Sequence, residues 1–353
     1  MHNVRATLEA REDQSLSPLA ARSTRGVRAY PEEACQVRTA FQRDRDRVLH
    51  SKSFRRLKHK TQVFIAPQGD HYRTRLTHTL EVTQIARTVA RALRLNEDLT
   101  EAIGLSHDTG HAPFGHAGET ALGQVYPPGF RHNEQSLRVV EVLEKGGRGL
   151  NLTDLVREGI LRHSKARGDI MAATEGVAST LEGQIIKLAD SIAYINHDID
   201  DALRAGLIQP ADLPEPCLAV LGTTHATRIN TMVQDLIACN WWATGEAPPP
   251  DPLRLTMSRP VLDATNELRE FLFQHVYLSD RAREDDDKVM RLIELLYTHF
   301  LNHPEHLPPD LLHINQQRQE PVERAVVDYI AGMTDRYAIK VFNLRFVPRT
   351  WVL

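Results

Sequence analysis

The stretch Ile185-Ile186-Lys187-Leu188-Ala189-Asp190-Ser191-Ile192-Ala193-Tyr194-Ile195-Asn196-His197-Asp198 constrains the fold more than any other part of the chain. Its apolar residues follow a helical period, yet Asp190 stands among Ile and Ala. An unpaired buried charge is strongly unfavourable, so a helix packed through this face needs neighbours that deliver a partner for the carboxylate.

Two other segments can supply one. His107-Asp108-Thr109-Gly110-His111-Ala112-Pro113-Phe114-Gly115-His116-Ala117-Gly118-Glu119 places three imidazoles and two carboxylates within thirteen residues. A His followed directly by an Asp offers one nitrogen and one oxygen donor to a single divalent ion, with other segments completing the shell. Upstream, His78, Val82, Ile85, Val89 and Leu93 recur at steps of three or four, which directs His78 inward. Asn96-Glu97-Asp98 supplies an N-cap and early negative charge to a helix whose face Leu99, Ala102, Ile103 and Ser106 leads to His107. Taken singly, His78 also reads as an ordinary core histidine and Asp190 as a buried cap.

Helical spacing continues over 133–145, 151–163, 228–242, 260–278, 288–302 and 321–333, with breaks such as Tyr126-Pro127-Pro128-Gly129 and Ala247-Pro248-Pro249-Pro250. Strand signals are few. Val63-Phe64-Ile65 before Ala66-Pro67-Gln68-Gly69 suggests a short β-hairpin, and Lys340-Val341-Phe342-Asn343-Leu344 is ambiguous. The expected class is all-α with at most that hairpin, in a single domain over residues 39–353. Residues 1–38 lack sustained periodicity and read as a partly ordered arm. Asp285-Asp286-Asp287 reads as an exposed helix start rather than a metal box. Three cysteines without CxxC spacing suit a reducing compartment. With neither a signal-peptide core nor a run of roughly 20 apolar residues, a soluble cytoplasmic protein without membrane contact is expected.

The net charge of −3 gives no global case for nucleic-acid binding. Its distribution is uneven: Arg43, Arg45, Arg47, Lys52, Arg55, Arg56, Lys58, Lys60, Arg73 and Arg75 precede the His-Asp motif. Singly they suit a solvated face paired with Asp44 and Asp46. As a set they suit phosphate, with single-stranded nucleic acid as the alternative. No GxxxxGK[ST] loop is present, so phosphate must meet side chains and metal. Arg75, one helical turn before His78, is the best clamp by spacing. His116 and Glu119 lie three apart, which would let the carboxylate orient the ring for proton transfer. Asp190, Tyr194 and Asp198 step by four along one helix face.

The pattern of His78, His107-Asp108 and Asp190 resembles the HD phosphohydrolase superfamily. More narrowly, the chain is similar to the bacterial deoxyguanosinetriphosphate triphosphohydrolases and their dNTP-cleaving relatives. Phe41 to Phe64, with Phe54-Arg55-Arg56-Leu57-Lys58 and Thr61-Gln62-Val63, is similar to that family's amino-terminal signature. Phe130-Arg131-His132-Asn133-Glu134-Gln135-Ser136-Leu137-Arg138 and Met333-Thr334-Asp335-Arg336-Tyr337-Ala338 are also family-like. The likeness spans most of residues 39–345 and is weakest between about 205 and 320.

The resemblance implies His78, His107, Asp108 and Asp190 as ligands of Mn²⁺ or Mg²⁺, while the donor set also admits Fe²⁺, Co²⁺, Ni²⁺ and Zn²⁺. It implies His116 as general acid or base with Glu119, and His111 and His132 near phosphate oxygens or the attacking water. Arg75 and Arg56 would bind phosphate, Tyr194 and Asp198 a deoxyribose, and Gln62 and Tyr337 the base or sugar. It further implies a homo-oligomer, a hexamer being one form, and a dNTP as candidate activator. A 5′-nucleotidase or phosphodiesterase, a single-strand nuclease and a nucleotide-binding regulator without turnover are the alternatives.

Overall fold

The structure, a computed structural model, describes residues 3–62, 73–164, 169–172 and 176–348. Among the described residues there are sixteen α-helices and no β-strand. The fold is all-α, as the helical spacing led one to expect. The hairpin expected around Val63-Phe64-Ile65 lies outside the described residues. The chain divides into two compact units, one of residues 1–51, 77–107 and 150–279, the other of residues 52–76, 108–149 and 280–353.

The first unit is organised around the helix Leu181–Arg204, against which helices Glu97–Ser106, Asp154–Arg162, His225–Cys239 and Arg259–Leu272 pack. Ile185, Ile186, Ala189, Ile192, Ile195 and Ile199 are all fully buried. A helix apolar on most of its circumference belongs inside a bundle, where each large aliphatic side chain contributes about 1.5–3 kcal/mol by burial. Thr180 caps its first turn by accepting from the Gly183 backbone. Glu182, buried in that turn, accepts from the backbone N–H groups of Asn96 and Ala21, both at 2.9 Å. Asn96 in turn caps the Glu97–Ser106 helix by accepting from Leu99 N at 3.1 Å. Residues before 38 carry the helix Val4–Ser15, which buries no side chain, while Ser17 beyond it donates to Ala243 O at 2.5 Å.

The core of the second unit gathers Phe114, Leu122, Phe130, Ile293, Leu296, Phe300, Val326 and Ile330. Helix Asp280–Asn302 packs on Gly115–Val125 and on Val322–Ala331. It begins well before the expected 288, so Asp285-Asp286-Asp287 lies inside the helix. The ambiguous Lys340–Leu344 run is helical, within Asp335–Phe346, because Thr334 caps it and Ala338 and Val341 face inward.

Asp335 ties this unit together. Its buried carboxylate accepts from the Thr61 backbone at 2.8 Å, from the Thr61 hydroxyl, and from the Phe114 backbone at 2.9 Å. Phe114 adopts φ 64°, a left-handed conformation unusual for a bulky residue, immediately before helix Gly115–Val125. Leaving two buried N–H groups unmet costs about 1–3 kcal/mol each. Asp335→Ala is therefore expected to lower the unfolding free energy by roughly 3 kcal/mol, read as a fall in urea midpoint by circular dichroism. An unchanged midpoint would refute this role.

Candidate functional site

In the first unit, His78 is buried on the inner face of helix Arg75–Ala92, with Val82, Ile85 and Val89 below it. Its Nε2 lies 3.1 Å from Asp190 Oδ1, so the buried carboxylate has the expected neighbour. Its Nδ1 lies 3.3 Å from Nδ1 of His197, whose Nε2 is 3.0 Å from Glu81 Oε2. An imidazole nitrogen and a carboxylate oxygen this close together are also a pair of atoms that one divalent ion can take as neighbouring ligands. His107 follows the Glu97–Ser106 helix and donates from Nδ1 to Gly104 O at 2.6 Å, which assigns the lone pair to Nε2. The His163 ring stands edge-on at 5.0 Å.

Asp108 follows His107 directly and lies in the second unit, where its Oδ2 accepts from Arg75 Nη1 at 2.6 Å. Arg75 is only 2 % exposed, and its Nε and Nη2 have no hydrogen-bond partner among the described residues. Glycine permits the close packing around the motif. A Cβ on Gly110 would lie 2.1 Å from Ser136 N, and one on Gly118 would lie 1.8 Å from Pro113 O.

Ligand atoms of Asp108, His111 and His132 come within 4.8 Å of one another, as do those of His111, His116 and Glu119. The His111 and His132 rings stack at 4.6 Å. The expected pairing of His116 with Glu119 is loose, at 3.8 Å, and the His116 side chain is 70 % exposed. Glu119 instead serves His132, accepting from its backbone N at 2.8 Å and from its Nδ1 at 2.9 Å. The reason is local. His132 opens the helix His132–Arg138, whose first N–H groups lack intrahelical partners, and a carboxylate is the natural acceptor there.

These contacts set the charges. Burial opposes ionisation of Glu119, but His132, His116 and His111 outweigh it and hold the carboxyl well below its ordinary range. Burial would lower His132, but Glu119 overcomes it and raises the imidazole. His111 is pushed well below 6.5 by burial, by Arg75 and by His132, so the stacked pair carries one proton charge rather than two.

Lys60, grouped by sequence reasoning with the basic residues of a solvated face or a phosphate site, is instead buried and donates to the carbonyls of His111 and Ala331, the latter at 2.8 Å. Burial and the adjacent Arg56 bring its ammonium down to about 7. Gln62 is buried, with Oε1 unpartnered among the described residues, whereas Arg56 is exposed. Tyr337 is also exposed, with its hydroxyl 3.1 Å from that of Tyr329. Asp198 is buried and accepts from the Tyr277 hydroxyl, and the Tyr194 and Tyr277 rings lie parallel at 6.3 Å. Burial and the Asp198 charge push both phenols up. Upstream, the basic stretch finds Asp46 as expected, through Arg45, but not Asp44, which is buried and held by Arg28 and Thr153; Arg43 and Arg47 meet Glu32 instead, and Arg45 also meets Asp98 and Glu101.

The HD domain family matches residues 75–195, and the phosphohydrolase-associated domain matches residues 255–344. A deoxyguanosinetriphosphate triphosphohydrolase-like protein of Caldanaerobacter subterraneus is 53 % identical over 350 residues, covering 99 % of this chain and 97 % of the relative. The chain belongs to this HD-domain family. Similarly named proteins of Desulfatibacillum aliphaticivorans and Clostridium perfringens are 45 % and 46 % identical over 99 % and 98 % of the chain, with equal shares of their own lengths. Membership in the family makes it a metal-dependent phosphohydrolase. The donor set fits a divalent ion, since an N···O separation near 3 Å is the edge expected between neighbouring ligands about 2.1 Å from one ion. Among the described residues no helix is long and apolar enough to cross a membrane.

The Glu119–His132 pair has a defined pH window. The raised imidazole contributes stability in full below its unfolded value near 6.5 and loses it as pH rises through the folded value. The depressed carboxyl contributes above its unfolded value near 4.5 and loses it as pH falls through the folded one. In Glu119→Gln burial, the largest influence, and Arg75 lower His132 against Asp108 alone. Its titration midpoint, followed by imidazole NMR, is expected to fall below 6.5. A midpoint that stays raised would mean another group holds the proton.

Proposed function

We propose that the protein hydrolyses deoxynucleoside triphosphates, dGTP among them, to the deoxynucleoside and inorganic triphosphate. The observation that carries this reading is Arg75, a buried guanidinium held on Asp108 with two further nitrogens unpartnered among the described residues. Buried N–H donors of a cation are costly unless an anion meets them, and a phosphate oxygen is the acceptor suited to that fork. The relatives' names point to the same class of substrate.

His78, His107, Asp108 and Asp190 would hold the ion, with Mn²⁺ or Mg²⁺ favoured by the family resemblance, since two imidazoles and two carboxylates do not by themselves select one metal. Such an ion supplies Lewis acidity toward a phosphate oxygen and toward the attacking water. Arg75, with Arg56 as a second cation, neutralises charge spreading over the phosphate oxygens. His111, held neutral, accepts a proton or a hydrogen bond from water, and the charged His132 donates to phosphate. Water adds to the α-phosphorus, the bond to O5′ breaks, and His116 passes the proton that O5′ takes up. Tyr194 closes the space beside C2′, Asp198 accepts from the 3′-hydroxyl, and Gln62 and Tyr337 meet base or sugar. The protein acts in the cytoplasm as a homo-oligomer, with a dNTP as candidate activator.

Purified protein given each dNTP, singly and in pairs, with Mn²⁺ or Mg²⁺ is expected to release inorganic triphosphate, with much less from rNTPs. Asp190→Ala should lose bound metal and nearly all turnover while keeping its helical spectrum. Orthophosphate or nucleoside monophosphate as sole product, or shortening of single-stranded DNA without triphosphate release, would overturn the assignment. His116→Ala should keep its metal and lower kcat by roughly two to four orders of magnitude, the usual scale for losing a general acid or base. A near-normal kcat would remove His116 from the proton path.

A further inference from the structure

A second group of imidazoles gathers in the second unit and shares no residue with the site above. His299 lies in the last turn of helix Asp280–Asn302, His303 follows directly after its end, and the short turn Pro304–His306 brings His306 back beside them. His299 Nε2 and His306 Nδ1 are 3.0 Å apart, and their rings are parallel to within 10°. Ring centroids of His299 and His303 are 5.1 Å apart, and those of His303 and His306 are 5.4 Å apart. Glu305 Oε1 lies 3.2 Å from His303 Nδ1. One ligand atom each from His303, Glu305 and His306 falls within 4.8 Å of the others.

We propose that His299, His303 and His306, with Glu305, form a second metal site that takes a divalent ion of the imidazole-preferring kind, Zn²⁺ above all. Three ring nitrogens and one carboxylate make the four-donor set that Zn²⁺ adopts, and imidazole ranks Cu²⁺, Ni²⁺ and Zn²⁺ far above Mg²⁺ or Mn²⁺. The His299–His306 edge needs little adjustment. Two nitrogens about 2.05 Å from a tetrahedral ion stand about 3.3 Å apart, a few tenths of an ångström wider than the His299–His306 contact. Whichever of those rings donates the present hydrogen bond moves its proton to its other nitrogen, so neither ring has to lose a proton when the ion enters. The backbone is already set, because His303 N bonds to His299 O at 2.9 Å and His306 N to His303 O at 3.0 Å. Pro304 fixes the turn between them. An ion there would pin the end of the long helix to the turn that leaves it.

The test uses the full-length, tag-free protein, stripped with chelator and titrated with Zn²⁺ alone. Wild type and Asp190→Ala are both expected to take up one Zn²⁺ that the double variant His299→Ala/His303→Ala does not. Co²⁺ should give a tetrahedral visible spectrum in wild type that is lost in the double variant. His303→Asn, a change at an exposed position, serves where the double variant folds poorly. It should weaken Zn²⁺ binding by at least the roughly tenfold that loss of even an outer-shell partner costs, without altering basal turnover. Equal Zn²⁺ uptake and affinity in wild type and in folded variants, or no tetrahedral Co²⁺ spectrum in wild type, would overturn the proposal.

Discussion

The Asp335 carboxylate is a small group with long reach in the second unit. It is buried, so water does not satisfy it, and its acceptors are filled by two main-chain N–H groups and one hydroxyl. Because two of those donors are backbone, the bond positions chain segments rather than side-chain tips. One segment carries Thr61 and its neighbours Lys60 and Gln62. The other is the turn at Phe114, whose left-handed conformation costs on the order of 1–3 kcal/mol and persists only where its surroundings enforce it. That turn starts the helix bearing His116 and Glu119, so the placement of the proposed proton-transfer group depends on a residue more than two hundred positions away.

The charges nearby are arranged so that each ionised group answers another. Arg75 meets Asp108, Glu119 meets His132, and His111 is pushed toward its neutral form by burial first and by the two cations that face it. A neutral imidazole stacked on a charged one gives two rings of one residue type opposite abilities, one to accept and one to donate. The division comes from which ring opens a helix. His132 does, and a carboxylate at that helix start is favoured twice, by the unmet N–H groups and by the ring itself.

Much of this was legible in the sequence. The helical period of Ile185 to Asp198 foretold a buried helix, and the lone Asp190 foretold a partner that His78 supplies. Asn96 acts as the N-cap its position implied. His197 could have been found, since it stands seven residues after Asp190 on the same helix face, yet histidines are too commonly structural for spacing alone to assign it. Tyr277 and Lys60 carried no such signal: the first meets Asp198 from a helix 79 residues downstream, and the second differs from its surface neighbours only in burial. The preference of Glu119 for His132 over His116 was hidden for the same reason, because a contact across thirteen residues competes unseen with one across three.

Tyr277 reaches Asp198 from a π-helical turn, Phe273–Tyr277, that continues helix Arg259–Leu272. A π turn holds one residue more than the α-helical turn it replaces, and each residue of a regular helix rotates the face by about 100°. Winding these same five residues as a regular α-helix would therefore carry the phenol about a quarter turn past the carboxylate it now meets. In this segment the winding of the backbone, more than the identity of the four residues before Tyr277, carries the information.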